Sequence, residues 1–147
     1  MSEARRIIHA TTVALAGKAV LLRGPSGSGK SDLALRLVDD GAALVADDQT
    51  CLSRRGTELW ATAPESLKDL MEVRGIGVVR VPALAEAPVA LLVDLVRGAE
   101  IERCPEGDAE RLLGVALPRL RIDAAAPSAP AKVRLALGLA AGAGARL

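Results

Sequence analysis

Aromatic side chains are almost missing from this sequence: 147 residues contain one Trp, no Phe and no Tyr. Binding unpaired bases relies on aromatic faces to stack against, so nucleic acid is not an expected partner. An excess of charge of either sign is missing too. With 19 Lys and Arg against 18 Asp and Glu, the net charge is +1, and no broad field draws in polyanions or acidic lipid. No apolar run approaches the roughly 20 residues that cross a bilayer. The opening Met1-Ser2-Glu3-Ala4-Arg5-Arg6 lacks the apolar stretch and cleavage site of a signal peptide, so a cytoplasmic protein without membrane contact is expected. Cys51 and Cys104 stand far apart, with no Cys-x-x-Cys and no matching His spacing; two reduced thiols are expected and zinc is not.

What remains has a globular balance, 50% hydrophobic and 25% charged, and its length suits one domain. The expectation is a single domain over residues 1–141, with 142–147 as a flexible tail. Along the chain, Ile7 to Leu15 and Ala19 to Arg23 around Gly17-Lys18 predict a hairpin. A helix through Leu33 and Leu37 ends at Asp39-Asp40-Gly41, and a buried strand over Ala42 to Ala46 delivers Asp47-Asp48. A second hairpin turns at Gly56. Pro64 to Met71 predicts a short helix, Glu72 to Gly77 a loop, Val78 to Val81 a strand, and Val89 to Val96 another. Further on, Ala109 to Leu113 reads as helical, Gly114 to Ile122 as extended, Ala124 to Pro130 as a linker and Ala131 to Ala140 as a helix.

The motif that carries chemistry is Gly24-Pro25-Ser26-Gly27-Ser28-Gly29-Lys30-Ser31, a complete P-loop between an apolar strand and a helix. Its glycines let backbone N–H groups turn inward around phosphate oxygens at a helix start. Lys30 supplies a point charge to the phosphates and Ser31 a hydroxyl to Mg²⁺, so ATP or GTP is the expected ligand. A P-loop alone does not choose between hydrolysis, transfer and mechanical work. Asp47 and Asp48 leave their strand where open α/β sheets place ligands; one of them can take a proton while the other holds Mg²⁺ through water. Asp94, closing Val89-Ala90-Leu91-Leu92-Val93, resembles the acid of a Walker B strand and is the rival for the metal.

Ile8-His9, Gly24 to Ser31, Val45-Ala46-Asp47-Asp48 and Met71-Glu72-Val73-Arg74-Gly75-Ile76-Gly77-Val78-Val79 together resemble the catalytic domain of HPr kinase/phosphorylase, over roughly residues 7 to 97. The Glu-Val-Arg-Gly-Ile-Gly segment is the most specific part. The likeness is to a short form with only the P-loop catalytic domain, since the family commonly carries a separate N-terminal domain. It implies an α/β fold of the P-loop kinase type with a mixed β-sheet, related to the phosphoenolpyruvate carboxykinase-like group. It also implies an ATP- and Mg²⁺-dependent kinase acting on a serine of an HPr-like phosphocarrier, with reversal by phosphorolysis as an open second activity. By the same resemblance Asp47 is the general base, Lys30 holds phosphates, Ser31 and Glu72 bind Mg²⁺, His9 is the active-site histidine, and a homo-oligomer, a hexamer, is expected. Arg74 could meet a carboxylate or an incoming phosphate. The family's arginine- and proline-containing segment corresponds to Leu117-Pro118-Arg119-Leu120-Arg121, and the choice between Arg119 and Arg121 stays open. Two other readings stand beside this one: a small-molecule kinase of the phosphoenolpyruvate carboxykinase-like group, and an ATP-sensing module without transfer.

Overall fold

A computed structural model describes residues 4–103 and 105–140. The expected tail over 142–147 and the thiol of Cys104 lie outside the described residues. The elements run β1 (Arg5–His9), β2 (Thr11–Leu15), β3 (Lys18–Arg23), α1 (Lys30–Asp39), β4 (Ala43–Ala46), β5 (Gln49–Arg55) and β6 (Glu58–Thr62). They continue with β7 (Leu70–Val73), β8 (Gly77–Arg80), β9 (Glu86–Leu95), β10 (Asp108–Leu112), β11 (Val115–Ile122) and α2 (Ala129–Ala140). Among the described residues no helix is long and apolar enough to cross a membrane.

Nine strands form one mixed sheet, in the order β1-β5-β6-β9-β3-β2-β4, with β11 also on β9 and β10 on β11. The parallel pairs β3–β9 and β9–β11 lie at its centre. Strand β4 pairs antiparallel with β2, and β2 antiparallel with β3, so β4 and β3 run the same way. The P-loop and Asp47-Asp48 therefore leave the sheet at the same edge, as the strand order requires and as ligand sites in α/β sheets favour.

Alternation along the strands divides the core. Val20 and Leu22 of β3 pack with Leu33 and Leu37 of α1 and Val133 of α2 on one face. Ala19 and Leu21 point to the other, with Leu52, Leu59, Leu92 and Leu117. The period of two in β3 is what lets one strand serve both faces. With no Phe or Tyr to fill it, the core is a mosaic of Leu, Val and Ala.

Three expectations change. Ile7 to Leu15 is two strands: β1 pairs with β5 and β2 with β3, the chain switching partners at Ala10. The helix over 64–71 is only a 3-10 turn at Glu65–Leu67, followed by strand β7. Asp69 takes a left-handed φ of 63°, which a helix cannot continue through, and Met71, buried between half-buried Leu70 and exposed Glu72, points into the core from the strand. The helix at 109–113 is strand β10, closed onto β11 by the turn at Leu113-Gly114, where both residues have positive φ. Leu112 is thereby buried on the second face, and five residues are too few for helical propensity to prevail over sheet pairing.

Candidate active site

The loop between β3 and α1 is shaped by glycine. Gly29, the residue before the helix, has φ 96°, and a Cβ there would meet Ala124 Cβ at 2.9 Å. Gly27 also takes a left-handed φ, 82°. At Gly24 the constraint is space: an added Cβ would lie 2.5 Å from Ser28 Oγ. These three positions admit no side chain without strain or displacement.

Lys30, only 6% exposed, folds its ammonium back onto the loop, donating to Gly24 O at 2.8 Å and Pro25 O at 3.2 Å. Neutral carbonyls satisfy its donors without cancelling its charge. The hydroxyl of Ser28 is buried with no hydrogen-bond partner, a costly condition unless a ligand supplies one. A left-handed glycine cradle, a buried cation and an orphaned hydroxyl at one helix start fit a polyphosphate.

Asp47, 9% exposed, is where three elements meet. Its Oδ1 accepts from Ser31 Oγ of α1 at 2.7 Å and from Thr11 Oγ1 of β2 at 3.2 Å. Its Oδ2 accepts from the backbone N–H of Glu72 on β7 at 3.1 Å. The carboxylate thus ties the P-loop helix, the leading hairpin and the β7–β8 hairpin at one point. Contact with the P-loop serine also puts it where P-loop enzymes keep the acid that works beside their metal. Ser26, Gly27, Lys30, Ser31, Asp48, Glu72 and Arg74 line a cleft of about 480 Å³ here, within the range of small-ligand sites. Among the described residues no group of three or more His, Cys, Asp or Glu could hold a metal by itself. Mg²⁺ commonly uses one or two protein oxygens, water and substrate phosphates, and Ser31 with Glu72 fits that mode.

Asp48 diverges from its neighbour. Its side chain is exposed, with Oδ1 2.5 Å from His9 Nε2.

Asp94 is held elsewhere. On β9, Val93 and Leu95 pack beneath α1 while Leu92 packs on the opposite face; by alternation Asp94 shares the face of Leu92. Arg23 reaches it through Nε at 2.8 Å and Nη2 at 3.1 Å, and Arg119 through Nε at 2.6 Å. Arg23 also donates to Glu110 at 2.6 and 2.9 Å. Burial opposes ionisation of Asp94, but the hydrogen bonds and charges of the two arginines outweigh it and hold the carboxyl below its usual range. Glu110 is likewise lowered, first by its hydrogen bond from Arg23. Arg23 is raised, first by its bond to Glu110 and then by Asp94.

The structure therefore brings Lys30, Ser31, Asp48, Glu72 and Arg74 to one cleft, with His9 at Asp48 and Asp47 behind the lining, bonded to Ser31 and the Glu72 N–H. It does not bring Asp94 there, and Arg119 is engaged with Asp94, while Arg121 faces Asp108 at 3.6 Å. Sequence reasoning missed Thr11, which is fully buried and serves both acids: its Oγ1 donates to Asp47 and accepts from the Asp48 N–H at 3.1 Å. In the sequence it is one more β-branched residue of a strand.

Residues 2–129 match the family described as the HPr Serine kinase C-terminal domain. The HPr kinase/phosphorylase of Limosilactobacillus reuteri (strain DSM 20016) is 37% identical over 130 residues, covering 80% of this chain and 41% of its own. That of Streptococcus salivarius is 35% identical over 130 residues, covering 80% and 42%. The chain thus spans about two fifths of the length of these curated relatives. Among solved structures, the Hpr(Ser) kinase/phosphatase from Coxiella burnetii superposes with a TM-score of 0.79 at 25% identity, over 88% of this chain and 92% of that one. The mixed-sheet α/β fold is shared with that solved structure, and with the family match over residues 2–129 the chain belongs to the HPr serine kinase C-terminal domain family.

Proposed function

We propose that this chain is an ATP-dependent protein-serine kinase whose acceptor is an HPr-like phosphocarrier. The observation that carries the reading is the convergence on Asp47: the P-loop serine, a buried threonine and the backbone of Glu72 all hydrogen-bond one carboxylate beside a buried lysine. Such a centre can align a polyphosphate and accept a proton in the same small space, which is most of what phosphoryl transfer asks of a protein.

In this reading the P-loop backbone and Lys30 grip the phosphates of ATP. Ser31 and Glu72 hold Mg²⁺, which when bound neutralises charge on the phosphate oxygens. The serine oxygen of the carrier attacks the γ-phosphorus, forming one O–P bond while the bond to the bridging oxygen of ADP breaks, and the departing oxygen keeps the electron pair. Asp47 takes the serine proton. Phosphorolysis of the phosphoserine would use the same group in reverse, returning that proton to the leaving serine oxygen as inorganic phosphate captures the phosphoryl group to give pyrophosphate. A cytoplasmic homo-oligomer belongs to the same reading.

The test is incubation with γ-labelled ATP, Mg²⁺ and HPr-like carriers, followed by mass spectrometry of the carrier. A phosphoserine on the carrier supports the proposal. ATP binding with label left on ATP would favour the sensing module, and label on a small metabolite the phosphoenolpyruvate carboxykinase-like alternative.

A further inference from the structure

Three threonines, Thr11, Thr12 and Thr50, are fully buried where the chain passes from β1 to β2 and from β4 to β5. A hydroxyl has one proton to give, so their bonds can be oriented. Thr50 Oγ1 donates to the carbonyl of Ala10 at 2.9 Å, which leaves Thr12 as the donor in its 2.8 Å contact with Thr50. Thr11 Oγ1 accepts from a backbone N–H, that of Asp48, at 3.1 Å, and its own proton goes to Asp47 Oδ1 at 3.2 Å. Strand alternation turns the side chains of Thr11 and Thr12 to opposite faces of β2. One threonine therefore meets the buried acid, and its neighbour ties the two strand changes together.

Two other donors reach Asp47, the Ser31 hydroxyl at 2.7 Å and the Glu72 N–H at 3.1 Å. Ser31 and Glu72 line the cleft, whereas Thr11 lies behind it with Asp47. They belong to α1 and to the separate two-stranded β7–β8 sheet, so Thr11 is the side chain through which the main sheet itself holds the carboxylate. We infer that Thr11 is a positioning residue for Asp47: its proton is committed to Oδ1, and this fixes the rotation at which Oδ1 meets the P-loop serine and Oδ2 meets the backbone of β7. Packing alone does not call for a hydroxyl here. Valine has the same shape and suits a strand at least as well, and a buried hydroxyl is costly unless it is bonded. The positional part stands on its own readout, and its consequence for turnover rests on the kinase reading.

The test compares Thr11→Val, which keeps the shape and removes the hydroxyl, with Thr11→Ser, which keeps the hydroxyl. Thr12→Val is the control, a buried neighbour that does not touch Asp47. Amide hydrogen exchange of the full chain is read at Glu72 and normalised to Leu92, a fully buried residue of the central strand β9 whose exchange follows global opening. Thr11→Val should speed the Glu72 amide relative to Leu92 by about 10-fold, while Thr11→Ser and Thr12→Val leave it near wild type. An unchanged Glu72 amide in Thr11→Val, with only the Asp48 amide faster, would mean that Thr11 caps the turn and does not position the acid. In the transfer assay Thr11→Val should lower kcat by about 10-fold, with the KM for ATP within about 2-fold and the loss recovered in Thr11→Ser. Equal losses in Thr11→Val and Thr12→Val, or a Thr11→Ser as slow as Thr11→Val, would reduce the residue to packing and overturn the inference. Should Thr11→Val not fold, Thr11→Ala is read against Thr12→Ala in the same way. If the wild type transfers phosphate to no carrier, the kinase reading fails, while the Glu72 amide still decides whether Thr11 positions Asp47.

Discussion

Lys30 and Asp47 are both nearly shut off from solvent, yet neither stabilises the fold through an ion pair with the other. Lys30 bonds to carbonyls and Asp47 to hydroxyls and an N–H. Each charge is solvated by fixed dipoles, which keeps it available to a ligand and to a transferring proton. Lys30→Ala should therefore lower ATP affinity or turnover on the order of 10²-fold while the thermal melt stays cooperative. Equal ATP titrations for variant and wild type would remove the P-loop from the account. The proposed Mg²⁺ site divides the acids in the same way. Glu72→Gln, which leaves the backbone N–H on Asp47 in place, should weaken Mg²⁺-dependent ATP binding by about 10-fold or more. Asp94→Asn, assayed where it is folded, should leave that binding near wild type, because Asp94 lies on the other face with Arg23 and Arg119. The opposite order would move the metal to the end of β9.

At the scale of elements, the ends of β3 and β9 are tied to the middle of β10 and β11 by Arg23, Asp94, Glu110 and Arg119 at the point where β3 gives way to the P-loop. The sign of the pH dependence follows from the carboxyls. Asp94 and Glu110 have folded-state pKa values below their ordinary ones. Their contribution is therefore fully present above the unfolded-state values, about 4, and is lost as pH falls through the lower folded values. Thermal melts from pH 6 down to pH 3 should show Tm falling below about pH 4. Asp94→Asn should be less stable at pH 6 and flatten that fall; an identical acid profile in the variant would mean that the cluster adds nothing to stability. The sequence signalled the acid at the end of an apolar strand but not its partners. Arg23, Glu110 and Arg119 lie up to 96 positions apart, from 23 to 119, and the parallel registers Arg23↔Asp94 and Arg119↔Leu92 together with the antiparallel pairing Glu110↔Leu117 bring them side by side.

For the molecule as a whole, the legible parts were those whose signal is local. The P-loop, the hairpin turn at Gly17 and helices α1 and α2 were marked by glycine and apolar spacing within a few residues. The segments 64–71 and 109–113 were misread as helices because their conformation is set by distant partners: Met71 by the core under α1, and Leu112 by the second face. Within the candidate site, the P-loop residues Lys30 and Ser31 and the acids Asp47 and Glu72 could be proposed from motif and resemblance, whereas the supporting Thr11 and the different surroundings of Asp47 and Asp48 required the turn geometry. The central claim is that Asp47 takes the proton of an acceptor serine, and the measurement that tests it most directly pairs ATP titration with phosphoserine formation on an HPr-like carrier for wild type and Asp47→Asn. The Asn keeps shape and one acceptor oxygen but cannot take the proton, so transfer should fall by roughly 10²–10⁴-fold with ATP affinity little changed. Transfer at near wild-type rate in Asp47→Asn would contradict the account.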